Sequence, residues 1–209
     1  NYVIIIIENK KGSVLMDKEK IEKLMKKLDL TREEAIELIK ADEEVDKMTS
    51  SKQWDSDLTE EQKNNVCWTS DSISLIGVKN DNRIYAINAH QIKELLKTNE
   101  KAIVYQWSPH CSSGNCTSLG LTQSYCDERG IELYVVIDYY ADAFSQIESI
   151  KNPLFSINER HYNTEVTEKL QEIFYKELLG DKYDKKNYHR FYYFENGEFV
   201  RTYDSVNNL

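Results

Sequence analysis

The sequence predicts an α/β fold, a strand-and-helix domain preceded by a small helical module. Three observations carry that prediction. Short apolar runs rich in β-branched and aromatic residues, the clearest at 102–107 and 131–139, read as buried strands. Between them lies one amphipathic stretch carrying Leu119, Leu121, Tyr125 and Cys126, so the order is strand, helix, strand. Two strands joined that way are parallel, with a right-handed crossover. At the far end, 190–203 sets two strand-like runs around Asn196-Gly197, the dipeptide that favours a tight hairpin turn.

The composition narrows the function classes. A chain of 209 residues makes one good domain, or one domain with an appendage. It is 40% hydrophobic and 30% charged, as ordinary soluble proteins are. A net charge of −9 argues against general nucleic-acid binding, which needs a basic face to neutralise phosphates. The 4 cysteines are too few for a disulfide framework and leave the compartment open. The one strongly apolar terminal stretch, 3–7, is too short for a signal core or a membrane span and is followed by Glu8, so no membrane span is expected. A cytoplasmic location and export with the signal missing from this chain both stay open.

Taken in order, 2–7 reads as a strand by composition, and residues 1–15 together form a leader of uncertain status. Residues 17–28 carry Ile21, Leu24, Met25 and Leu28 at helical spacing. Thr31 and Glu34 form a capping-box pair that opens a second helix to about residue 48, and Thr59 with Gln62 repeats the pattern after a polar linker. These helices define a module over 16–65, and the α/β domain is expected over 66–209. Residues 73–78 and 83–87 read as strands joined by the polar turn 79–82, a hairpin. A helix over 89–97 follows, with Ile92, Leu95 and Leu96 on one face. After the strand at 102–107 comes a cysteine loop and a helix closed by Gly130. The run 131–139 suits a parallel strand covered on both faces. A short helix over 142–150, an apolar stretch at 153–157 and an amphipathic helix over 166–179 ending at Gly180 lead to the final hairpin.

The chemistry concentrates at 107–119. The strand runs into Trp107-Ser108-Pro109-His110-Cys111, then four polar residues lead to Cys116, and Thr117 or Ser118 can cap the next helix. A strand thus delivers a cysteine to the mouth of a helix. Unpaired N–H groups and the helix dipole there can lower a thiol pKa from about 8.5 by one to several units, and a protonated His110 would add to this. On that reading Cys111 attacks a disulfide and Cys116 resolves it. Residues five apart on a regular helix are about 8 Å apart, beyond the reach of a disulfide, so a bridge requires 112–115 to loop out. The alternative, in which Cys111 is a bystander or Cys116 a core residue, stays open. Cys126 reads as a small core hydrophobe, and Cys67 carries no legible role. A zinc site from His110, Cys111, Cys116 and His161 lacks paired short spacings, so no metal is predicted. His90, His161 and His189 have no partner legible in the sequence, and no Ser-His-Asp set, phosphate loop or HExxH motif is present.

The segment resembles the active-site strand and turn of the thioredoxin family, which places a Trp four residues before its first cysteine and a small residue after the Trp. Trp107, Ser108 and Cys111 stand in those places, and the terminal hairpin is similar to the family's last two strands. The resemblance covers residue 73 to the C-terminus and implies a thioredoxin-like three-layer α/β/α domain, as a divergent bacterial-type member with a C-x4-C motif. It implies a thiol–disulfide oxidoreductase with Cys111 as nucleophile and Cys116 as resolving cysteine, supported by Trp107, Pro109 and His110. No cofactor is implied beyond an external thiol donor, and the partner is a protein thiol or disulfide. Three departures stand against this. The cysteines are more widely spaced than in the family. Tyr105 occupies the place of the family's buried carboxylate two residues before the Trp. Asn187-Tyr188-His189 replaces the proline before the penultimate strand, unless 154–157 is that strand and Pro153 the proline. The competing expectation is a thioredoxin-like scaffold without catalysis that binds a protein or peptide.

Overall fold

The structure, a computed structural model, describes residues 5–7, 14–16, 18–28, 30–49, 58–109, 117–140, 142–185 and 189–208, and divides into two units, Asn1–Ser50 and Ser51–Leu209. In the first unit β1 (Ile5–Ile7) pairs antiparallel with β2 (Val14–Met16), and α1 (Lys18–Leu28) packs on α2 (Arg32–Thr49). Their contact is Ile21 against Ala35 and Ile39, with Met25 and Ile36 alongside. The sequence pattern at the start of α2 works as a capping box. The Glu34 carboxylate accepts the Thr31 backbone N–H at 2.8 Å, and the Glu34 N–H donates to Thr31 Oγ1 at 3.3 Å.

The second unit opens with α3 (Glu60–Asn64), whose Thr59–Gln62 capping box forms as the sequence predicts. Then come β3 (Val66–Trp68), β4 (Ile84–Ile87), α4 (Ala89–Leu96), β5 (Lys101–Trp107), α5 (Leu119–Glu128), β6 (Glu132–Ile137), β7 (Leu154–Ile157), α6 (Glu159–Tyr162), α7 (Thr167–Leu179), β8 (Phe191–Glu195) and β9 (Glu198–Tyr203). They form one 7-stranded sheet in the order β3-β4-β7-β6-β5-β8-β9. The first five of that order are parallel, and β8 and β9 are antiparallel to their neighbours.

The direction in which the chain crosses the sheet decides which face each connection covers. From β4 to β5 it moves one way, and α4 lies on the face that also holds α7; its core is built from Ile92, Val104, Val136, Leu170 and Phe174. From β5 through β6 to β7 it moves back, and α5 and the 3-10 segment Ala143–Ser149 lie on the other face with Ile103, Tyr105, Trp107 and Val135. Crossovers of a single hand produce this alternation. The α5 face differs from expectation at one residue. Leu121 is 60% exposed, and the buried residues are Leu119, Thr122, Gln123 and Cys126.

The predicted hairpin over 73–87 does not form. Only 84–87 is a strand, and it pairs parallel with β3 and β7. Residues 73–78 lack the means to be a strand. Ile73 and Ile76 are exposed, Leu75 alone is buried, and a turn closes from Val78 N–H to the Leu75 carbonyl with Gly77 at φ +81°. The terminal hairpin forms as predicted, with Asn196 and Gly197 at φ 51° and 82°.

Candidate functional site at the carboxyl edge of the sheet

Five parallel strands end on one edge of the sheet, where α/β proteins commonly place ligands. β5 is buried along its length after Lys101 and ends at Trp107, which is 4% exposed. Ser108 and Pro109 follow, both half-buried. His110, Cys111 and Cys116 lie outside the described residues. The chain is described again at Thr117, whose carbonyl accepts the Tyr105 hydroxyl at 3.2 Å, so the segment 110–116 leaves and returns to the same strand end. Ser118 is the N-cap of α5, with its hydroxyl accepting the Leu121 N–H at 3.3 Å.

The second component is Asp138, just past the end of β6. Its backbone N–H donates to the Trp107 carbonyl at 3.0 Å. Its Oδ1 accepts two side-chain amides, Gln106 Nε2 at 2.8 Å and Gln171 Nε2 of α7 at 2.7 Å. Burial pushes the Asp138 carboxyl up to about 6, against the pull of those amides and of the nearby Arg190 charge. Arg190 stands just before β8, where its carbonyl accepts the Gln106 N–H at 2.8 Å, and its charge also opposes the burial that raises Tyr105. Gln106 is 2% exposed and its Oε1 meets no hydrogen-bond donor. The edge of β5 and β6 therefore holds a titratable carboxyl, two amides and a guanidinium. None of Gln106, Asp138, Gln171 or Arg190 was marked by a sequence motif. The signal available was one acid ending the apolar run 131–139.

Further along the same edge, polar side chains hold the irregular segment after β3. Asn158 Nδ2 donates to the Thr69 carbonyl at 3.0 Å, and Gln91 Nε2 donates to the Ser70 and Ile73 carbonyls at 3.2 and 3.0 Å. Asp71 accepts Asn88 Nδ2 at 2.8 Å and pairs with His161 Nδ1 at 2.8 Å. These bonds satisfy backbone groups that no ladder pairs, and so do structural work. Between β6 and β7 the connections leave toward opposite faces, which makes a crevice at that point. Tyr140 packs there, fully buried, with its hydroxyl 2.7 Å from Ser156 Oγ.

The remaining sequence candidates resolve differently. Pro153 precedes β7, which is parallel to β6 and separated from β5 by it, so the proline lies at the amino end of the strands, opposite the cysteine loop. The strand antiparallel to β5 is β8. Cys126 is fully buried, and burial pushes its thiol up to about 12, as befits a core residue. Cys67 is half-buried with a free thiol. His90 lies 3.8 Å from Glu94, and His189 pairs with Asp204. Among the described residues no group of three or more His, Cys, Asp or Glu could hold a metal ion, and no helix is long and apolar enough to cross a membrane.

Compared with known protein families, curated proteins and solved structures, the chain matches none.

Proposed function

We propose that Ser51–Leu209 is a thioredoxin-like domain that carries out thiol–disulfide exchange, with Cys111 as nucleophile and Cys116 as resolving cysteine. One observation supports the reading above the rest. A buried strand in the middle of the sheet, β5, runs through Trp107 into the two-cysteine segment, and the chain re-enters as a helix whose first turn is capped by Ser118. Unpaired N–H groups at such a helix start favour a thiolate. The terminal β8–β9 hairpin beside β5, and helices on both faces, agree with the resemblance in the sequence. The exchange balances without a cofactor. The Cys111 thiolate attacks a substrate disulfide and displaces one thiolate. Cys116 then loses its proton and attacks the mixed disulfide, releasing the second substrate thiol and leaving a Cys111–Cys116 bridge, which an external thiol reduces.

A second reading is a thioredoxin-like scaffold that binds a protein or peptide without redox chemistry. The position of Pro153 and the presence of Tyr105 at the carboxylate's place favour it, because parts that assist fast exchange are missing from the strand edge. Thiol mapping separates the two. The protein is equilibrated in glutathione buffers of graded potential, alkylated and mapped by mass spectrometry. A Cys111–Cys116 bridge that forms reversibly between roughly −120 and −300 mV supports exchange. Thiols that stay free across that range leave the scaffold.

A further inference from the structure

On the face that holds α7, a cavity of about 260 Å³ lies between the end of that helix, the segment after it and the β8–β9 hairpin. Its floor is apolar and aromatic, made by Leu179, Tyr183, Tyr192 and Phe199. Lys182 and Arg201, both exposed, stand at its rim. The Lys182 ammonium donates to the Phe199 carbonyl at 2.7 Å and lies 5.9 Å from the Phe199 ring. The Arg201 guanidinium lies 5.1 Å from the Tyr203 ring. Neither meets a carboxylate among the described residues, in a chain whose net charge is −9. A third cation at the rim, Lys185, is already neutralised by Glu172 at 2.6 Å. Tyr192 supplies an independent sign. It is 3% exposed and stacks on Tyr175 at 4.6 Å, yet its hydroxyl has no hydrogen-bond partner among the described residues. Buried phenols ordinarily find one.

We propose that this cavity is a binding site for a small aryl or alkyl carboxylate. The apolar body lies against Tyr192, Phe199 and Leu179, and the carboxylate is held by Lys182 and Arg201. The volume is slightly below the range of about 300–1,000 Å³ usual for drug-sized ligands, which sets the size at about a dozen heavy atoms. The two uncompensated cations select the charge, and a guanidinium suits a carboxylate's paired oxygens. The proposal does not depend on the thiol reading.

The test is an NMR titration of the full chain with indole-3-acetate, its uncharged amide, and octanoate. For ligands of this size a dissociation constant of about 1 mM is expected. Amide signals of Tyr183, Tyr192 and Phe199 should shift and saturate with at least one of the acids. The indole acid should bind at least about tenfold tighter than its amide, and the double variant Lys182→Gln with Arg201→Gln should remove that difference while leaving amide binding unchanged, since the loss of two attractive charges acts on the anion alone. Because both residues are exposed, the variant should fold normally. The proposal is overturned if neither acid shifts those signals by about 10 mM, tenfold above the expected constant. Equal binding of the indole acid and its amide, or no response to the double variant, overturns it as well.

Discussion

Asp138 makes a sign-definite prediction about stability and pH. In the folded protein its carboxyl titrates at about 6, against a model value of 3.8 for an unperturbed aspartate. The difference is about two pKa units, and each unit corresponds to roughly 1.4 kcal/mol, so ionising this group costs the folded state about 3 kcal/mol. The unfolded chain releases the proton near pH 4 and the native chain near pH 6. Between those values the native state holds more protons, and stability falls as pH rises. The contribution is fully present below about pH 4 and gone above about pH 6. Asp138→Asn removes the titration. It also keeps the local bonds, because both glutamine amides meet Oδ1, which asparagine retains. Relative to wild type, the variant should gain about 3 kcal/mol between pH 3.5 and pH 7.5, or roughly 6–12 °C in melting temperature for a domain of this size. Urea unfolding followed by tryptophan fluorescence across that range reads the change, with buried Trp107 as a reporter. If wild type and variant stay parallel to within about 0.5 kcal/mol, the burial argument for this carboxyl is wrong.

Two further predictions concern local structure. Ser118→Ala removes the N-cap hydrogen bond of α5 and should cost about 1 kcal/mol, measured by urea unfolding at pH 7, with Ser118→Asn restoring most of it. Gly197→Ala should cost more, about 1–3 kcal/mol in the same assay. The residue sits at φ 82°, and a methyl group there would come within 2.9 Å of Lys97 Cγ and 3.1 Å of Lys97 Cα. A smaller loss would mean that the hairpin shifts away from α4.

Local signals made much of the fold legible. Thr31–Glu34 and Thr59–Gln62 marked helix starts because a capping box is a contact within four residues, and Asn196-Gly197 marked the hairpin because its turn needs positive φ at two adjacent positions. The run 131–139 was readable because a strand covered on both faces has no polar alternation to confuse. The failures were non-local. The apolar residues of 73–78 looked like a strand, but β4 finds its partners in β3 and β7, and β7 is 70 residues further along the chain at Ile84↔Leu154. No turn signal encodes such a pairing. The three-residue β3 and the four-residue α6 are too short for periodicity to show.

The same distinction bears on the chemistry at the strand edge and gives a last prediction. The two cysteines were legible because reactivity is tied to residue type. The groups that surround them were not, because Asp138 meets Gln106 and Gln171 across separations of 32 and 33 residues. Tyr105 is no substitute for a carboxylate as a base. Burial raises its pKa, and its hydroxyl is committed to the Thr117 carbonyl. Asp138 lies on the other side of the sheet, among the partners of α7, whereas Tyr105 and Trp107 face α5. If exchange occurs, the resolving thiol must therefore lose its proton to solvent. Closure of the Cys111–Cys116 bridge from a glutathione mixed disulfide on Cys111 should then rise about tenfold per pH unit from 6 to 8, because the thiolate fraction of an ordinary thiol grows at that rate below its pKa of about 8.5. Stopped-flow release of glutathione measures the step. A rate that is level across that range would mean that a base assists after all and that the assignment of Tyr105 as a non-participant is wrong.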